Sequence, residues 1–255
     1  MQIVKNPFVF IGMVAISAAL LLSIFSEYTS ETVKKNKELD KRKNILLARY
    51  FEEAKDPNSA IIAKLSEPQE LIEVYKSEIE ELLFLDADND VVASDDFDFS
   101  KLVWKENKKD GSLYYFFKGA ESDKRYLPLF KVKGQGGGYI VPISGKGLWS
   151  TIKGFIYIVP ENGNEYTVKG ISFYEHGETP GLGGEIDVYD VKARYLNKKI
   201  DLNNDKTPEM VKAVSDEQYQ LDYISGATIT SDGLNQFIGS HILGRYKSIL
   251  SEVSE

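Results

Sequence analysis

One uninterrupted apolar segment near the start of the sequence constrains this chain more than any other feature. From Phe8 to Phe25, eighteen residues follow one another without a charge. As a helix this run would be about 27 Å long, which is close to the thickness of the ~30 Å hydrocarbon core of a bilayer. We therefore predict a single transmembrane anchor helix over residues 8–27, after a short tail over residues 1–7.

A cleaved signal peptide is the alternative interpretation of this segment, since Lys5 precedes the apolar run. The run is longer than the usual hydrophobic region of a signal peptide, and no convincing small-x-small cleavage site follows it. The pattern therefore favours a retained anchor, and the alternative stays open.

Charge does not decide on which side of the membrane the rest of the chain lies. Six basic residues between Lys34 and Lys43 follow the apolar run, and the positive-inside rule would keep the domain in the cytoplasm. However, large domains cross membranes largely regardless of charge, and Glu31, Glu38 and Asp40 dilute the basic cluster. The orientation is undecided on charge alone.

The composition is that of a globular protein and excludes several classes of function. The 255 residues are 42% hydrophobic, which suffices for one sizeable core or two small ones. A net charge of -8 argues against a nucleic-acid partner, because phosphate binding requires clustered Lys and Arg. The sequence contains no cysteine, which excludes disulfides, iron–sulfur clusters and cysteinyl flavin linkages.

The part of the chain behind the anchor predicts an α+β fold. A charged helical stalk over residues 30–53 ends at a break over residues 56–59, and two helices follow over residues 59–65 and 68–83. After Leu85 the pattern changes to short strand-like runs between turn residues. We therefore expect a helical part over residues 28–85 and a mixed strand and helix domain over residues 86–255.

The strand-like runs and the last helix can be placed individually. We expect a final helix from about Asp232 to Leu250, with Ser231 or Asp232 as its cap. Strands are predicted over residues 90–93, 113–117, 126–132, 138–143, 154–159 and 168–174, and residues 192–196 are expected to begin another.

Three segments imitate known binding motifs, and we interpret them as turns. Residues 86–90 and 201–205 alternate acidic and amide side chains as calcium loops do, but Val91 or Lys206 stands where such a loop requires glycine. The glycines of residues 134–138 precede a strand, whereas a phosphate-binding loop precedes a helix. We expect no metal site.

Two other stretches suggest ligand binding. Residues 176–185 (HGETPGLGGE) place four glycines and a proline around one leucine, and backbone without a Cβ can approach a flat ligand closely. The composition favours a ligand loop over a structural turn. Residues 222–230 (DYISGATIT) place small residues before Thr228 at the expected start of a helix, where free N–H groups suit a phosphate. A Ser/Thr-rich helix cap explains that stretch equally well.

Together these residues resemble a family of FMN-binding domains. It includes the C subunit of the sodium-translocating NADH:quinone reductase and the G subunit of the Rnf ferredoxin oxidoreductase complex. The resemblance covers the apolar span, the segment GKGLWS at residues 145–150, the loop ETPGLGG at residues 178–184 and the signature D-x-x-x-G-A-T that ends at Thr228. The leucine–tryptophan pair and the full glycine loop are more similar to the sodium-pump protein.

The resemblance implies covalently attached FMN. The expected bond is a phosphoester between the FMN phosphate and Thr228, whereas Ser225 and Thr230 are not expected to be modified. A separate flavin transferase would make this bond from FAD and would recognise Asp222, Gly226, Ala227 and Thr228. Further cofactor contacts are implied for Leu148, Trp149, Glu178, Thr179, Leu182, Gly183, Ser225, Gly226 and Ala227.

The resemblance also implies a function that requires other proteins. The chain would be an electron-transfer component of a six-subunit NADH:ubiquinone oxidoreductase, inactive alone and in contact above all with the B, D and E subunits. It would pass electrons from a membrane iron–sulfur centre to the FMN of the B subunit, coupled to sodium export, with its domain on the periplasmic side of the bacterial inner membrane. Two alternatives stay open: the G subunit of an Rnf-type complex, and a membrane-anchored, non-catalytic ligand-binding domain.

Overall fold

The computed structural model describes residues 7–85, 91–92, 102–117, 125–134 and 137–253. Contacts divide the chain into two compact units, Met1–Asp40 and Lys41–Glu255. Helix α1 (Pro7–Arg49) starts in the first unit, and its apolar side chains there are exposed. Among the described residues, α1 is the one helix that is long and apolar enough to cross a membrane.

The second unit is built on one antiparallel sheet. Within the described residues this sheet has nine strands. Seven of them follow the order β2-β1-β5-β6-β7-β8-β9, and the other two, β3 and β4, form a hairpin that joins β5 where Tyr115 pairs with Tyr126. The strands are β1 (Ile79–Leu85), β2 (Val91–Val92), β3 (Leu102–Glu106), β4 (Leu113–Phe117), β5 (Tyr126–Val132), β6 (Tyr139–Lys146), β7 (Thr151–Pro160), β8 (Glu165–Glu175) and β9 (Lys199–Asp201).

The end of α1 belongs to the core of this unit and does not form a separate stalk. Leu46 is fully buried, and the Ser172 hydroxyl of β8 donates to the Asn44 carbonyl at 2.8 Å. Strand β8 comes so close that a Cβ on Gly170 would lie 2.0 Å from the Ala48 carbonyl oxygen. Helix α1 ends at Arg49, before the predicted end of the stalk at residue 53, and a turn and a short 3-10 helix (Glu53–Lys55) follow it.

The two predicted short helices exist, but the second ends earlier. In α2 (Ala60–Ser66) the Ser59 side chain accepts from the Ile62 N–H at 3.4 Å, and α3 (Pro68–Glu78) has proline in its first turn. The prediction that α3 extends to residue 83 is wrong. Residues 79–85 form β1, which pairs with β5 along its whole length. A short apolar run fits helical and strand patterns equally well, and pairing within the sheet decides between them.

Most of the other predicted strands are present in the sheet. The strands at 113–117 and 126–132 are confirmed, and those at 138–143, 154–159 and 168–174 lie almost entirely within longer strands. The strand at 192–196 is wrong, because helix α4 (Tyr189–Ala193) and a turn occupy this segment. Of the turn at 86–90 and the strand at 90–93, only residues 91–92 lie within the described residues. At 201–205 the Asp201 carboxylate accepts from the backbone N–H groups of Asn203 and Asn204, which forms a tight turn.

The C-terminal helices cover one part of the sheet core. The short parallel strands β10 (Glu209–Val211) and β11 (Gln220–Asp222) precede α5 (Thr228–Gly239), a π-helical segment (Ser240–Arg245) and α6 (Lys247–Val253). The start predicted near Asp232 is wrong by four residues. Ser231 and Asp232 do not cap the helix, because their side chains bond to the preceding turn, at Ala227 and Tyr223 respectively.

Truncation of a buried side chain in α1 tests the packing of this helix in the second unit. We expect Leu46→Ala to lower the free energy of unfolding by about 2–5 kcal/mol, because it opens a cavity in the core. Leu148→Ala is the control, since Leu148 is 45% exposed and its truncation should cost less than about 1 kcal/mol. Urea unfolding of the full chain in detergent measures both, and equal losses would contradict the packing described for α1.

Candidate functional site

Three separate segments of the chain meet at the carboxylate of Glu178, which is only 4% exposed. Its Oε1 accepts from the backbone N–H groups of Trp149 and Ser150, at 3.0 and 3.1 Å, and from the Ser150 hydroxyl at 3.0 Å. Its Oε2 accepts from the Leu148 N–H at 3.1 Å and from the Thr230 hydroxyl at 2.7 Å. One buried charge therefore joins the β6–β7 turn, the loop after β8 and the first turn of α5.

These donors keep Glu178 ionised. Burial alone raises the pKa of this carboxyl, but the hydrogen bonds from Thr230, Trp149, Leu148 and Ser150 outweigh burial, and the pKa lies below its ordinary value. Both oxygens accept hydrogen bonds from the protein itself. The carboxylate therefore holds the segments of the site together and is not itself available to a ligand.

Two glycines permit this close approach. A Cβ on Gly183 would lie 2.6 Å from the Thr230 hydroxyl oxygen and 2.9 Å from Oε2 of Glu178. A Cβ on Gly147 would lie 2.6 Å from Oε1 of the same carboxylate. No side chain fits at either position without displacing the hydrogen-bonded groups, so the spacing of glycines in the loop has a steric reason.

Internal hydrogen bonds fix the glycine-rich loop. The Thr179 carbonyl accepts from the N–H groups of Leu182 and Gly184, at 3.1 and 2.9 Å. His176 accepts from the Glu178 N–H through Nδ1 at 3.3 Å, so Nε2 carries the proton towards Asp187 at 2.7 Å. The loop thereby presents the side chain of Leu182, which is 45% exposed.

The two threonines at the start of α5 differ sharply in their surroundings. Thr228 is the first helical residue and is exposed, whereas Thr230 is 1% exposed and donates its hydroxyl hydrogen bond to Glu178. Ala227, at the N-cap position, has no side-chain acceptor for the first-turn N–H groups. Directly before it, Gly226 has φ +72°, and Leu182 lies against it, 2.9 Å from where a Cβ would be.

The structure thus brings together most of the residues predicted for the site. Leu148 and Trp149 meet the glycine loop through Glu178, and Leu182 meets the turn before Thr228 at Gly226. Asp222, Thr179 and Ser225 are exposed near these contacts in sequence, and Gly183 lies against the Glu178 carboxylate.

Four further residues contribute to the site, and the sequence predicts no binding role for any of them. Ile229 adds an apolar side chain that is 58% exposed, and Ser150 adds a second hydroxyl at Glu178. Arg194 donates to the carbonyls of Asp222 and Tyr223, and Ser231 bonds within the turn before Thr228. Ser150 and Ile229 lie within the predicted segments 145–150 and 222–230, and Ser231 is predicted only as a helix cap. No local pattern marks Arg194, because its partners follow 28 and 29 residues later.

This arrangement is suited to a ligand that has both an anion and a flat apolar part. The uncapped start of a twelve-residue helix offers N–H groups and a partial positive charge to an anion. Around it, Leu148, Trp149, Leu182 and Ile229 expose apolar surface, from 45% to 72% of each side chain. The site can therefore hold a phosphate at the start of α5, next to an exposed hydroxyl. It can also hold an aromatic ring against the exposed apolar side chains.

Comparison with known proteins identifies this class of site. Residues 147–240, which include all three segments, match the FMN-binding domain family. The fold agrees with solved structures. The C subunit of the Na(+)-translocating NADH-quinone reductase from Parabacteroides distasonis superposes with a TM-score of 0.58 at 26% identity, over 86% of this chain and 96% of that one. NqrC from Shewanella oneidensis shares the fold with a TM-score of 0.58 at 23% identity, over 84% and 97% of the two chains.

Similar sequences show to which family of FMN-binding proteins this chain belongs. The C subunit of the Na(+)-translocating NADH-quinone reductase from Haemophilus ducreyi is 30% identical over 251 residues, which cover 92% of this chain and 87% of that protein. Its counterpart from Pasteurella multocida is 29% identical over 236 residues, or 88% and 84% of the two chains. The chain belongs to the family of the C subunit of the Na(+)-translocating NADH-quinone reductase, which confirms the resemblance found in the sequence.

Glu178→Gln tests whether the carboxylate joins the three segments. We expect the variant to lose about 2–3 kcal/mol of unfolding free energy at pH 7, because an amide cannot accept from all five donors. The folded pKa lies below the ordinary 4.5, so the carboxylate stabilises the fold above pH 4.5, and this contribution is lost as the pH falls through the folded pKa. The difference in unfolding free energy between variant and wild type should therefore shrink as the pH falls below 4.5.

Denaturant titrations at pH 7 and below pH 4.5 measure this difference. Glu217→Gln is the matched control, since Glu217 is exposed and should show no deficit at either pH. A Glu178→Gln deficit that is the same at both pH values would show that ionisation of this group does not stabilise the site.

Proposed function

We propose that this chain carries FMN joined through its phosphate to Thr228 and relays electrons within the Na(+)-translocating NADH-quinone reductase. In this relay the domain receives electrons from an iron–sulfur centre in the membrane part of the complex and delivers them to the FMN of the B subunit. Sodium export is coupled to this transfer in the whole complex. Because the chain has no site of its own for NADH in this proposal, it is not active alone.

The single observation that carries the proposal is the contrast between the two threonines. Thr228 offers an exposed hydroxyl at the first position of α5. The hydroxyl of Thr230 is buried and already donates to Glu178 at 2.7 Å. Of these two hydroxyls, one can therefore be reached by another enzyme and modified without breaking the interactions that hold the site.

The helix start supports a phosphate at this position. A phosphate esterified to the first residue of α5 would lie beside N–H groups that Ala227 does not cap. The two residues directly before Thr228, Gly226 and Ala227, are small and leave room for the phosphate. Ser225 is exposed in the same turn. The group would thus be held by backbone dipoles and would need no basic side chain.

The exposed apolar side chains support an isoalloxazine beside the phosphate. Leu182 projects from the glycine loop over Gly226, and Leu148 and Trp149 project from the β6–β7 turn. Bound FMN would supply the redox chemistry, and the protein would hold and orient it. We expect the backbone of Thr179 and Gly183 to lie along the ring, while Glu178 keeps the two loops in place.

Attachment of the cofactor requires a separate enzyme. The residues directly before Thr228 are Ser225, Gly226 and Ala227, none of which can act as a general base, so we expect its hydroxyl to need activation by another protein. With FAD as donor, the Thr228 Oγ–P bond forms, the pyrophosphate bond breaks, AMP leaves, and the hydroxyl proton passes to the transferase or to water. Asp222, which is exposed at the end of β11, is the side chain that we expect the transferase to recognise together with Gly226 and Ala227.

The apolar part of α1 determines the location that we propose for this protein. We propose that α1 crosses the bacterial inner membrane once, that the domain lies on the periplasmic side, and that the B, D and E subunits are its neighbours. A covalent bond to the flavin suits that location, because a carrier outside the cytoplasm could not replace a lost cofactor. The basic residues between Lys34 and Lys43 oppose this orientation in a simple charge count.

Thr228→Ala tests the attachment site. The full chain is coexpressed with a flavin transferase, and flavin fluorescence is recorded in a denaturing gel. We expect the wild type to fluoresce and Thr228→Ala to lose the signal completely, because the ester oxygen is gone.

Two variants serve as controls for the neighbouring hydroxyls. Ser225→Ala removes another exposed hydroxyl of the same turn, and Thr230→Ser keeps the donor to Glu178. Both should fluoresce like the wild type. Retained fluorescence in Thr228→Ala, or its loss in Ser225→Ala, would move the attachment to a different residue.

The absence of cysteine provides a direct test of topology. Glu217→Cys introduces a single thiol at an exposed position of the domain, and the cysteine-free wild type is the control. We expect a membrane-impermeant maleimide to label this variant in intact cells. Labelling that occurs only after lysis would place the domain in the cytoplasm.

A further inference from the structure

The segment that carries Thr228 is a tight turn with a defined conformation. The Ala227 N–H donates to the Ile224 carbonyl at 3.0 Å, which closes a four-residue turn. Its third residue, Gly226, has φ +72°, as a type II turn requires at this position. Helix α5 begins directly after the turn, so the position of Thr228 depends on how firmly the turn is held.

A buried serine ties the two ends of this turn together. Ser231 is fully buried, and its hydroxyl oxygen accepts from the Ile224 N–H at 3.2 Å. The same hydroxyl donates to the Ala227 carbonyl at 3.0 Å. One side chain thus bonds the first and the last residue of the turn, both of which are themselves buried.

An arginine from another part of the chain holds the strand that leads into the turn. Arg194 follows helix α4, and its Nη1 donates to the carbonyls of Asp222 and Tyr223, both at 3.1 Å. Those carbonyls stand at the end of β11, directly before the turn begins. In addition, the Tyr223 hydroxyl donates to Asp232 in the first turns of α5.

From these contacts we infer that Ser231 and Arg194 are positioning residues for the attached flavin: they immobilise the turn and thereby the phosphate tether at Thr228. This inference rests on the proposed function. A single phosphoester leaves several rotatable bonds between Thr228 and a ring, so a tether on a mobile turn would let the ring move on the nanosecond timescale of loops. A fixed turn removes the backbone's contribution to the motion of the ring and leaves only rotation about the bonds of the tether.

The turn also supports the surface on which the ring would lie. Leu182 packs on Gly226, 2.9 Å from where a Cβ would stand. A turn that is free to move would therefore release Leu182 as well as the tether. The conventional alternative is that Ser231 and Arg194 contribute only to stability, in which case their loss would lower the melting temperature and leave the mobility of the flavin unchanged.

Time-resolved fluorescence anisotropy of the attached flavin, in the full chain coexpressed with transferase and purified in detergent, separates these alternatives. Ser231→Ala and Arg194→Met remove the two ties, and Arg194→Lys keeps a donor that can reach a carbonyl. We expect the amplitude of the nanosecond depolarisation to rise about twofold or more in the first two variants and to stay near the wild-type value in Arg194→Lys. Attachment itself should persist, because the signature through Thr228 is intact.

Two matched controls make comparable bonds elsewhere. Ser240 donates its hydroxyl to the Phe237 carbonyl at 3.1 Å, and Lys198 donates to the Glu217 carbonyl at 2.6 Å. Ser240→Ala and Lys198→Met should both retain wild-type anisotropy.

Wild-type anisotropy in flavin-loaded Ser231→Ala and Arg194→Met would overturn the inference and leave the proposed function standing. If Ser231→Ala does not fold, Arg194→Met decides alone, since Arg194 is half-buried and its loss leaves no cavity in the core. A wild-type chain without flavin at Thr228 would overturn the proposed function, and the inference with it.

Discussion

The buried carboxylate of Glu178 is the interaction on which the rest of the site depends. Three segments that are far apart in the sequence meet at it, and each of them carries a residue proposed to touch the cofactor. A buried charge is costly unless donors satisfy it, so the three segments can assemble only together. This requirement explains why glycine stands at positions 147 and 183, where a side chain would separate the donors from the carboxylate.

The same interaction distinguishes the threonines of α5. Because Thr230 donates to Glu178, its hydroxyl is part of the structure, and the first residue of the helix is left exposed. The division follows from helical geometry, since residues two positions apart point to different sides of a helix. One short motif can therefore contain both the buried hydroxyl of Thr230, which stabilises the fold, and the exposed hydroxyl of Thr228.

Sequence patterns predicted which segments lie together at Glu178 better than they predicted the boundaries of the elements around them. The glycine loop, the leucine–tryptophan turn and the segment through Thr228 stand out in the sequence, because their residue types are unusual and their order is specific. The structure brings the three segments together at Glu178, and their contacts with a cofactor stay a prediction. The start of α5 was placed four residues too late, since Ser231 has the composition of a cap but bonds to the turn before it. Residues 79–85 were assigned to a helix, because only their pairing with β5 reveals a strand. No local pattern marks Arg194, since its hydrogen bonds to Asp222 and Tyr223 join residues that only the folded chain brings together.

Mass spectrometry of the peptide that contains Thr228, taken from native protein of the assembled complex, tests the central claim most directly. The account predicts that this peptide carries the mass of FMN less one water and that fragmentation places the addition on Thr228. An unmodified peptide, or an addition on Ser225 or Thr230, would contradict it.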